Sequence, residues 1–372
     1  MATLTGSEKT ADLGSLYANA SYQTNSLGLG QDVMACITTG DFNAAFGYRA
    51  MYQSTTNRRT VAIGYLAQCG TTTGCENVAV GSLALSQSAT GSCNVSVGRD
   101  SMVYSRIGDL NTAIGQEALQ FNGYRGWGTT TATSSNKLVS DHPFSSFNTK
   151  ACVGATVCNT TDGTSTTISA IDNDCQLSLA ADIFTSGEEY IIEPATYGGN
   201  NVGVGFGAGR CVTQGSFNVA LGSTSMTGTS VRGSYNIAAG ALALNSLTDA
   251  DNNVGIGRNA GAGISTADNN VVIGPYSGNA FGTGGNNVTI GAYAGSGLSA
   301  SSSGHVIIGY EVAKSNEFST NDTLAIDNND TTHPLLFGDL DAGTKKLIVT
   351  PQLGWSNSNE TLNNGHAFFS SY

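Results

Sequence analysis

The sequence has few charged residues and few prolines, and most of its charges are acidic. Only 11% of the 372 residues are charged, with 15 Lys and Arg against 27 Asp and Glu, and there are 5 prolines. The net charge of −12 and the lack of a basic cluster argue against binding to nucleic acid or to an anionic membrane surface, because their phosphates attract Lys and Arg. Disorder is also excluded, since aliphatic residues recur at fixed positions.

Targeting signals are missing as well. The N-terminal segment contains no positive stretch followed by an apolar core, so we expect no signal peptide. No run of about 18 apolar residues occurs, which predicts no membrane-spanning helix.

Metal and disulfide motifs are absent too. The eight cysteines form no CxxC pair and have no zinc-like spacing to histidine. We therefore expect mostly reduced thiols that are packed as small hydrophobes. Asp249, Asp251 and Asp268 lack the spacing of a calcium loop, so no metal or other cofactor is predicted. The cysteines are Cys36, Cys69, Cys75, Cys93, Cys152, Cys158, Cys175 and Cys211.

What the sequence does contain is a short repeated phrase: asparagine, aliphatic residue, small residue, aliphatic residue, glycine, as in Asn77 to Gly81. The number of its closing glycine rises in steps of 17 or 18, with one step of 90. Such a period predicts a solenoid of stacked coils. The predicted fold is all-β, a parallel β-solenoid or β-roll of about 13 coils. The closing glycines are Gly30, Gly47, Gly64, Gly81, Gly98, Gly115, Gly205, Gly222, Gly240, Gly257, Gly274, Gly291 and Gly309.

The alternation within each phrase is typical of a β-strand. We count positions from the closing glycine, so that Val78 and Val80 stand at −3 and −1 and Ala79 stands at −2. The aliphatic pair is predicted to be buried on one face of the strand. A second small residue at +3, such as Ala84, suggests roughly two short strands and two turns in each coil.

The residue at −2 is restricted to Gly, Ala or Ser in the first ten coils, which indicates that it faces another backbone closely. Two neighbours fit this restriction. One is the opposite side of the same coil, and the other is a second chain around a trimer axis.

The asparagine at −4 is predicted to form a hydrogen-bonded ladder, because coils stacked at about 4.8 Å align equivalent amides. His305 takes this position in one coil and is interpreted as structural. The closing glycine is expected to have a positive φ. The ladder residues are Asn77, Asn94, Asn111, Asn201, Asn218, Asn236, Asn253, Asn270 and Asn287.

The step of 90 between Gly115 and Gly205 indicates an insertion within one coil. Alternating segments over 155–158, 166–171, 176–179 and 189–192, separated by turn residues, predict a small inserted antiparallel β domain. The predicted organisation is a lead-in or attachment segment (1–25), coils (26–121), the inserted domain (122–199), further coils (200–313), and a capping segment with an aromatic tail (314–372).

The phrases Asn77 to Leu85 and Asn111 to Leu119 resemble the head repeats of YadA-like trimeric adhesins. They resemble still more closely the repeats of bacteriophage tail fibres and other phage receptor-binding proteins. This resemblance implies a homotrimer, with the coils packed together or intertwined. The absence of a signal peptide and membrane anchor favours the virion over the adhesin setting. Many phage fibres end in a self-cleaving chaperone with a catalytic Ser and Lys, which is not seen in these 372 residues, so the chain is expected to trimerise unaided, to use a separate chaperone, or to be the product of processing.

The function expected from the rod-like repeat and the resemblance is host attachment by a virion fibre, through a surface glycan or protein. Other virion proteins are the further partners that this implies. Two alternatives stay open: a purely structural capsid or tail component, and a polysaccharide depolymerase. The latter would need two carboxylates about 5 to 10 Å apart, such as Asp141 with Glu188 or Glu189. No catalytic constellation is evident, so a non-enzymatic role is expected.

Receptor contacts are predicted at aromatic side chains, because these stack on sugar rings and anchor interfaces. The candidates lie where the repeat is interrupted or ends, although Tyr190 could equally belong to the core of the inserted domain and the C-terminal aromatics could equally close the trimer tip. They are Tyr124, Trp127, Tyr190, Trp355, His366, Phe368 and Phe369.

Overall fold

The structure is a computed structural model that describes residues 16–17, 26–87, 90–104, 108–121, 126–132, 135–140, 156–173, 175–193, 198–228, 230–314, 321–328, 334–339 and 346–349. The chain divides into two compact units. The first comprises Met1–Phe217 with Thr229–Arg232, and the second comprises Asn218–Gly228 with Gly233–Tyr372.

Strands are short throughout the coils. The first unit contains β1 (Leu16–Tyr17), β2 (Leu27–Leu29), β3 (Ala44–Phe46), β4 (Val61–Ile63), β5 (Val78–Val80), β6 (Val95–Val97), β7 (Thr112–Ile114), β8 (Gly126–Ala132), β9 (Lys137–Ser140), β10 (Thr156–Asn159), β11 (Ser165–Asn173), β12 (Gln176–Leu179), β13 (Glu189–Glu193) and β14 (Val202–Val204). The second contains β15 (Val219–Leu221), β16 (Ile237–Ala239), β17 (Val254–Ile256), β18 (Val271–Ile273), β19 (Val288–Ile290), β20 (Val306–Ile308), β21 (Thr323–Ile326), β22 (Leu336–Asp339) and β23 (Lys346–Val349).

The predicted β-solenoid is confirmed. In the first unit β2 to β7 pair in parallel order, and equivalent residues face each other, as Ala79 faces Ser96. Strand β14 then pairs with β7 in the same register, so the inserted residues leave the parallel order intact. In the second unit β15 to β21 pair in parallel, and β22 and β23 follow antiparallel.

The prediction of two strands in each coil is wrong, because each coil of the described chain has one short strand and a long turn. In that turn, residues at +2 and +4 have left-handed backbone conformations, as at Leu83 (φ 59) and Leu85 (φ 53). Such a conformation costs a non-glycine residue about 1–2 kcal/mol. Hydrogen bonds between coils hold it, since the Leu83 N–H donates to Tyr65 O at 2.9 Å and the Leu85 N–H to Ser101 O at 3.0 Å.

The small residues at −2 point into their own coil, which decides between the two neighbours considered above. Ala45, Ala62 and Ala79 are fully buried. The Ser96 hydroxyl donates to Ser101 O, on the opposite side of the same coil, at 2.9 Å. A Cβ added at Gly203 would lie 2.8 Å from Ala208 O. The opposite side of the coil therefore sets the size limit.

The aliphatic pairs at −3 and −1 point away from this interior, so their predicted burial is wrong for the single chain. Val78 and Val80 flank the buried Ala79 but are themselves half-buried, and the same pattern recurs in β14, β18 and β19. The reason is geometric: so short a coil is too narrow to hold both sets of side chains.

The asparagine ladder is confirmed. The Asn111 N–H and side-chain amide donate to the Asn94 Oδ1 at 3.0 and 3.2 Å, and the Asn94 Nδ2 donates to Gly108 O at 2.9 Å. The second unit repeats this arrangement from Asn236 to Asn287. The closing glycines also have the expected positive φ, between 119 and 140°.

The inserted residues form a closed antiparallel barrel in the strand order β8, β9, β12, β11, β10, β13. The four segments predicted as strands correspond to β10 to β13, whereas β8 and β9 were missed because the Thr-rich β8 and the four-residue β9 lack alternating aliphatic residues. The barrel core contains Leu138, Val157, Ile168, Leu177, Leu179, Phe184, Tyr190 and Ile192.

The described cysteines are free thiols, but their predicted packing as small hydrophobes is wrong for most of them. Only Cys211 is buried, while Cys36 and Cys93 are exposed and the others are intermediate. Cys152 lies outside the described residues.

Candidate functional site

The most extensive candidate for an interaction surface is the outer face of the parallel sheet in each unit, which we call the outer face. It consists of the residues at −3 and −1, which are chiefly Val, Ile and Leu and include no charged residue. Ile63, Ile114 and Leu27 are 41%, 42% and 48% exposed in the first unit. In the second unit Ile237 and Ile256 are each 41% exposed.

Such exposure is unusual for this type of sheet. Parallel sheets occur almost always with both faces covered, and contiguous exposed apolar patches mark interaction sites. Here the turn of each coil covers only the inner face. The outer face has the composition of a sheet that a further apolar surface covers.

Residues at −5 extend this apolar surface along one side of the strands. Phe42 and Leu110 in the first unit are exposed, as is Tyr235 in the second. The same position holds Arg59 and Glu76 in two neighbouring coils, where they form an ion pair at 2.9 Å, and it holds uncharged polar residues such as Asn269 in several others. The residues at −5 are therefore a mixture of apolar, polar and charged types, whereas those at −3 and −1 of the strands are chiefly apolar.

Of the predicted receptor residues, Tyr190 and Trp127 lie within the described part of the chain, on the paired strands β13 and β8. Tyr190 is 1% exposed, donates its hydroxyl to Ser140 Oγ at 3.0 Å and makes an edge contact with Phe184. It belongs to the barrel core, so its predicted availability to a receptor is corrected. Trp127 lies in β8, where Ile191 is its strand partner. Tyr124, Trp355, His366, Phe368 and Phe369 lie outside the described residues.

Stacked surface aromatics form a second class of feature, which the sequence reasoning missed. Tyr276 and Tyr293 stack at 5.1 Å, while Arg258 and Lys314 cover their other faces at 5.3 and 5.2 Å. The sequence does contain a signal for this stacking, because Tyr276 and Tyr293 both stand at +2 in successive coils and so occupy equivalent positions. With both ring faces covered, this column stabilises neighbouring coils instead of offering a platform for a sugar.

A second pair, Tyr48 and Tyr65, stacks at 5.4 Å in the first unit. Arg49 lies over the Tyr48 ring and also bonds the Asp32 carboxylate of the preceding coil at 3.2 Å. This ion pair raises the pKa of Arg49 above its ordinary value. The column therefore joins successive coils by stacking and by charge.

The carboxylates considered for catalysis have structural partners where they are described. The Glu188 Oε2 accepts hydrogen bonds from Thr185 N–H at 2.6 Å and Asn159 Nδ2 at 2.9 Å. Glu189 lies on β13, and Asp141 lies outside the described residues. The hydrogen bonds of Glu188 therefore hold the turn before β13. Among the described residues, neither of the two carboxylate pairs considered for catalysis is seen.

Other titratable groups of the barrel are also engaged. Lys137 lies 2.7 Å from the Asp172 carboxylate, and this contact, with a hydrogen bond from Ser178, holds the pKa of Asp172 below its ordinary value. Within the described ranges no group of three or more His, Cys, Asp or Glu could hold a metal ion. The same part of the chain contains no helix long and apolar enough to cross a membrane.

Comparison with known proteins found no match to a family model, to a curated protein or to a solved structure. The resemblance to adhesin and phage-fibre repeats therefore rests on the residues of the repeat alone.

Proposed function

We propose that this chain is a structural attachment protein of a virion. In this proposal it is a fibre or adhesin-like protein that assembles as a homotrimer and binds a glycan or protein on the host surface. The observation that carries the proposal is the apolar outer face. A sheet of this kind is stable in water when an assembly partner covers it.

A second copy of the chain is the partner that fits this face best. The outer face repeats with every coil, and coils stack at about 4.8 Å. A partner must therefore present apolar side chains with the same spacing over many coils. An identical chain has that spacing because it has the same repeat. Closed rotational symmetry is the commonest arrangement of identical copies.

The assembly step is tested with Val78→Lys combined with Val80→Lys. Both side chains are half-buried on the outer face, so the single chain tolerates the change, whereas two buried charges in each copy disrupt an interface. We expect an unchanged circular dichroism spectrum and a shift from assembled to monomeric protein in size-exclusion chromatography. Gln87→Lys, at an exposed turn position, is the matched control and is expected to leave assembly unchanged.

The attachment step is assigned to the inserted barrel, because insertions in solenoids commonly lie on a binding face. Deletion of 123–195 shortens the step between Gly115 and Gly205 from 90 to 17, which is the ordinary step of the repeat. Since β7 already pairs with β14, the coils are expected to fold and assemble without the barrel.

The readout is adsorption to host cells by virions that carry either the full chain or the deletion. Retained assembly with lost adsorption supports attachment through the barrel. Normal adsorption contradicts that role. If virions that lack the whole chain also adsorb normally, the protein is a structural component without receptor binding.

A further inference from the structure

The interior of the coils between Gly47 and Gly81 carries polar side chains at positions where many other coils carry apolar ones. The position +4 holds a buried Met or Leu in many coils, including Met51 and Leu85, but holds Gln68 in the coil between these two. The position +7 is apolar at Ile37, Leu247, Ile264, Phe281 and Leu298, but is Ser54 and Thr71 here.

Asn57 adds a fourth polar side chain to this interior. It stands at +10, where the neighbouring coils have Gly40 and Gly74. The Asn57 amide therefore has no side chain at the equivalent position of the coil before or after it. Ser54 and Thr71 both stand at +7 and occupy equivalent positions in adjacent coils.

All four side chains are fully buried, and their polar atoms have no hydrogen-bond partner within the described part of the chain. These atoms are Ser54 Oγ, both amide atoms of Asn57, both amide atoms of Gln68, and Thr71 Oγ1. A buried polar group without a partner costs about 1–3 kcal/mol, so native proteins almost always satisfy such groups.

We propose that these four side chains enclose a cluster of ordered water molecules inside the solenoid. Two hydroxyls and two carboxamides supply both donors and acceptors but no charge. Water matches this set because it also donates and accepts. A divalent cation would require carboxylates, and an anion would require cationic or multiple N–H donors. One buried water for about 27 residues is ordinary in globular proteins, so a cluster within two adjacent coils is a specialised feature.

A crystal structure of the full chain at a resolution that shows ordered water tests this proposal directly. We expect water density within hydrogen-bond distance of the Gln68 and Asn57 amides. Amides and hydroxyls that bond only one another, with no water density among them, would overturn the proposal.

A double-mutant cycle provides the solution test. Asn57→Gly and Gln68→Leu each introduce the residue found at the equivalent position of an adjacent coil, so the backbone is expected to tolerate both. If the two amides share bound water, the shifts of the urea midpoint are non-additive, with the double variant losing less than the sum of the single losses. Additive shifts would contradict a shared cluster. Leu244→Met, at the same position in a coil whose +7 residue is the buried Leu247, is the control and is expected to leave the midpoint almost unchanged.

Discussion

The ladder asparagines are buried polar residues whose side chains bond the next asparagine of the stack and nearby backbone carbonyls. Asn253 shows the arrangement in the second unit. Its Oδ1 accepts from the Asn270 N–H at 2.9 Å, and its Nδ2 donates to Ala267 O at 2.9 Å. One side chain thus satisfies backbone groups that the coil geometry leaves in the interior.

We expect Asn253→Ala to destabilise the second unit by about 2–4 kcal/mol, because it leaves a buried N–H and a buried carbonyl without partners. The urea dependence of unfolding measures this loss. Asn245→Ala, at a half-buried turn position, is the matched control and is expected to change stability by less than about 0.5 kcal/mol. Equal effects of the two substitutions would refute the importance of the ladder.

His305 is the ladder residue from which we expect a pH-dependent contribution to stability. The backbone N–H of His305 donates to the Asn287 Oδ1 at 3.0 Å, but both nitrogens of its ring are buried without a partner among the described residues. Burial lowers the pKa of His305, and the Asp322 carboxylate opposes this shift only in part. An unfolded histidine has a pKa of about 6.5 and therefore binds more protons than the folded one below that pH.

The contribution of His305 to the stability of the second unit is therefore expected to be constant above about pH 6.5 and to fall as the pH is lowered from there towards the folded pKa. His305→Asn introduces the amide that most other coils carry and removes the titrating group. Thermal unfolding between about pH 5 and 7.5 should show a smaller loss on acidification for this variant than for the native chain. Identical pH profiles would show that His305 does not control this dependence.

At the scale of the coil, the closing glycine determines how closely successive coils approach. Gly98 has a φ of 132°, and a Cβ at this position would lie 2.5 Å from the carbonyl oxygen of Gly115. Two costs combine here, because the conformation disfavours any side chain and the next coil occupies the space that the side chain would need.

We expect Gly98→Ala to destabilise the first unit by about 4 kcal/mol or to prevent folding. Gly163→Ala separates the two costs, because Gly163 also has a positive φ, of 81°, but has nothing within 4 Å of an added Cβ. Its expected cost is about 1 kcal/mol. Urea unfolding of both variants gives the comparison, and a mild effect at Gly98 would contradict close stacking of the coils.

The repeat predicted the features that depend on spacing. The register of the strands, the contacts of Asn94 with Asn111 and the conformation of the closing glycine all follow from the fixed period. The location of the inserted domain followed from the single long step, and four of its six strands followed from their alternating residues.

Features that depend on which face is inside could not be predicted from the period. Alternation places Val78 and Val80 opposite Ala79 but does not say which set faces inward. Hydrophobicity favours the valines, whereas the narrow coil admits only the alanine. The left-handed conformations at Leu83 and Leu85 have no sequence signal either, because hydrogen bonds between coils impose them on ordinary residues.

At the scale of the whole molecule, the central claim is that copies of the chain cover one another's outer faces. The mass of the purified chain in solution, measured by light scattering after size-exclusion chromatography, tests this claim most directly. The chain has a mass of 38.0 kDa, so the homotrimer that we propose has three times that mass. A stable mass of three chains that Val78→Lys with Val80→Lys reduces to 38.0 kDa is the predicted result, and a native chain that remains at 38.0 kDa at micromolar concentration would contradict it.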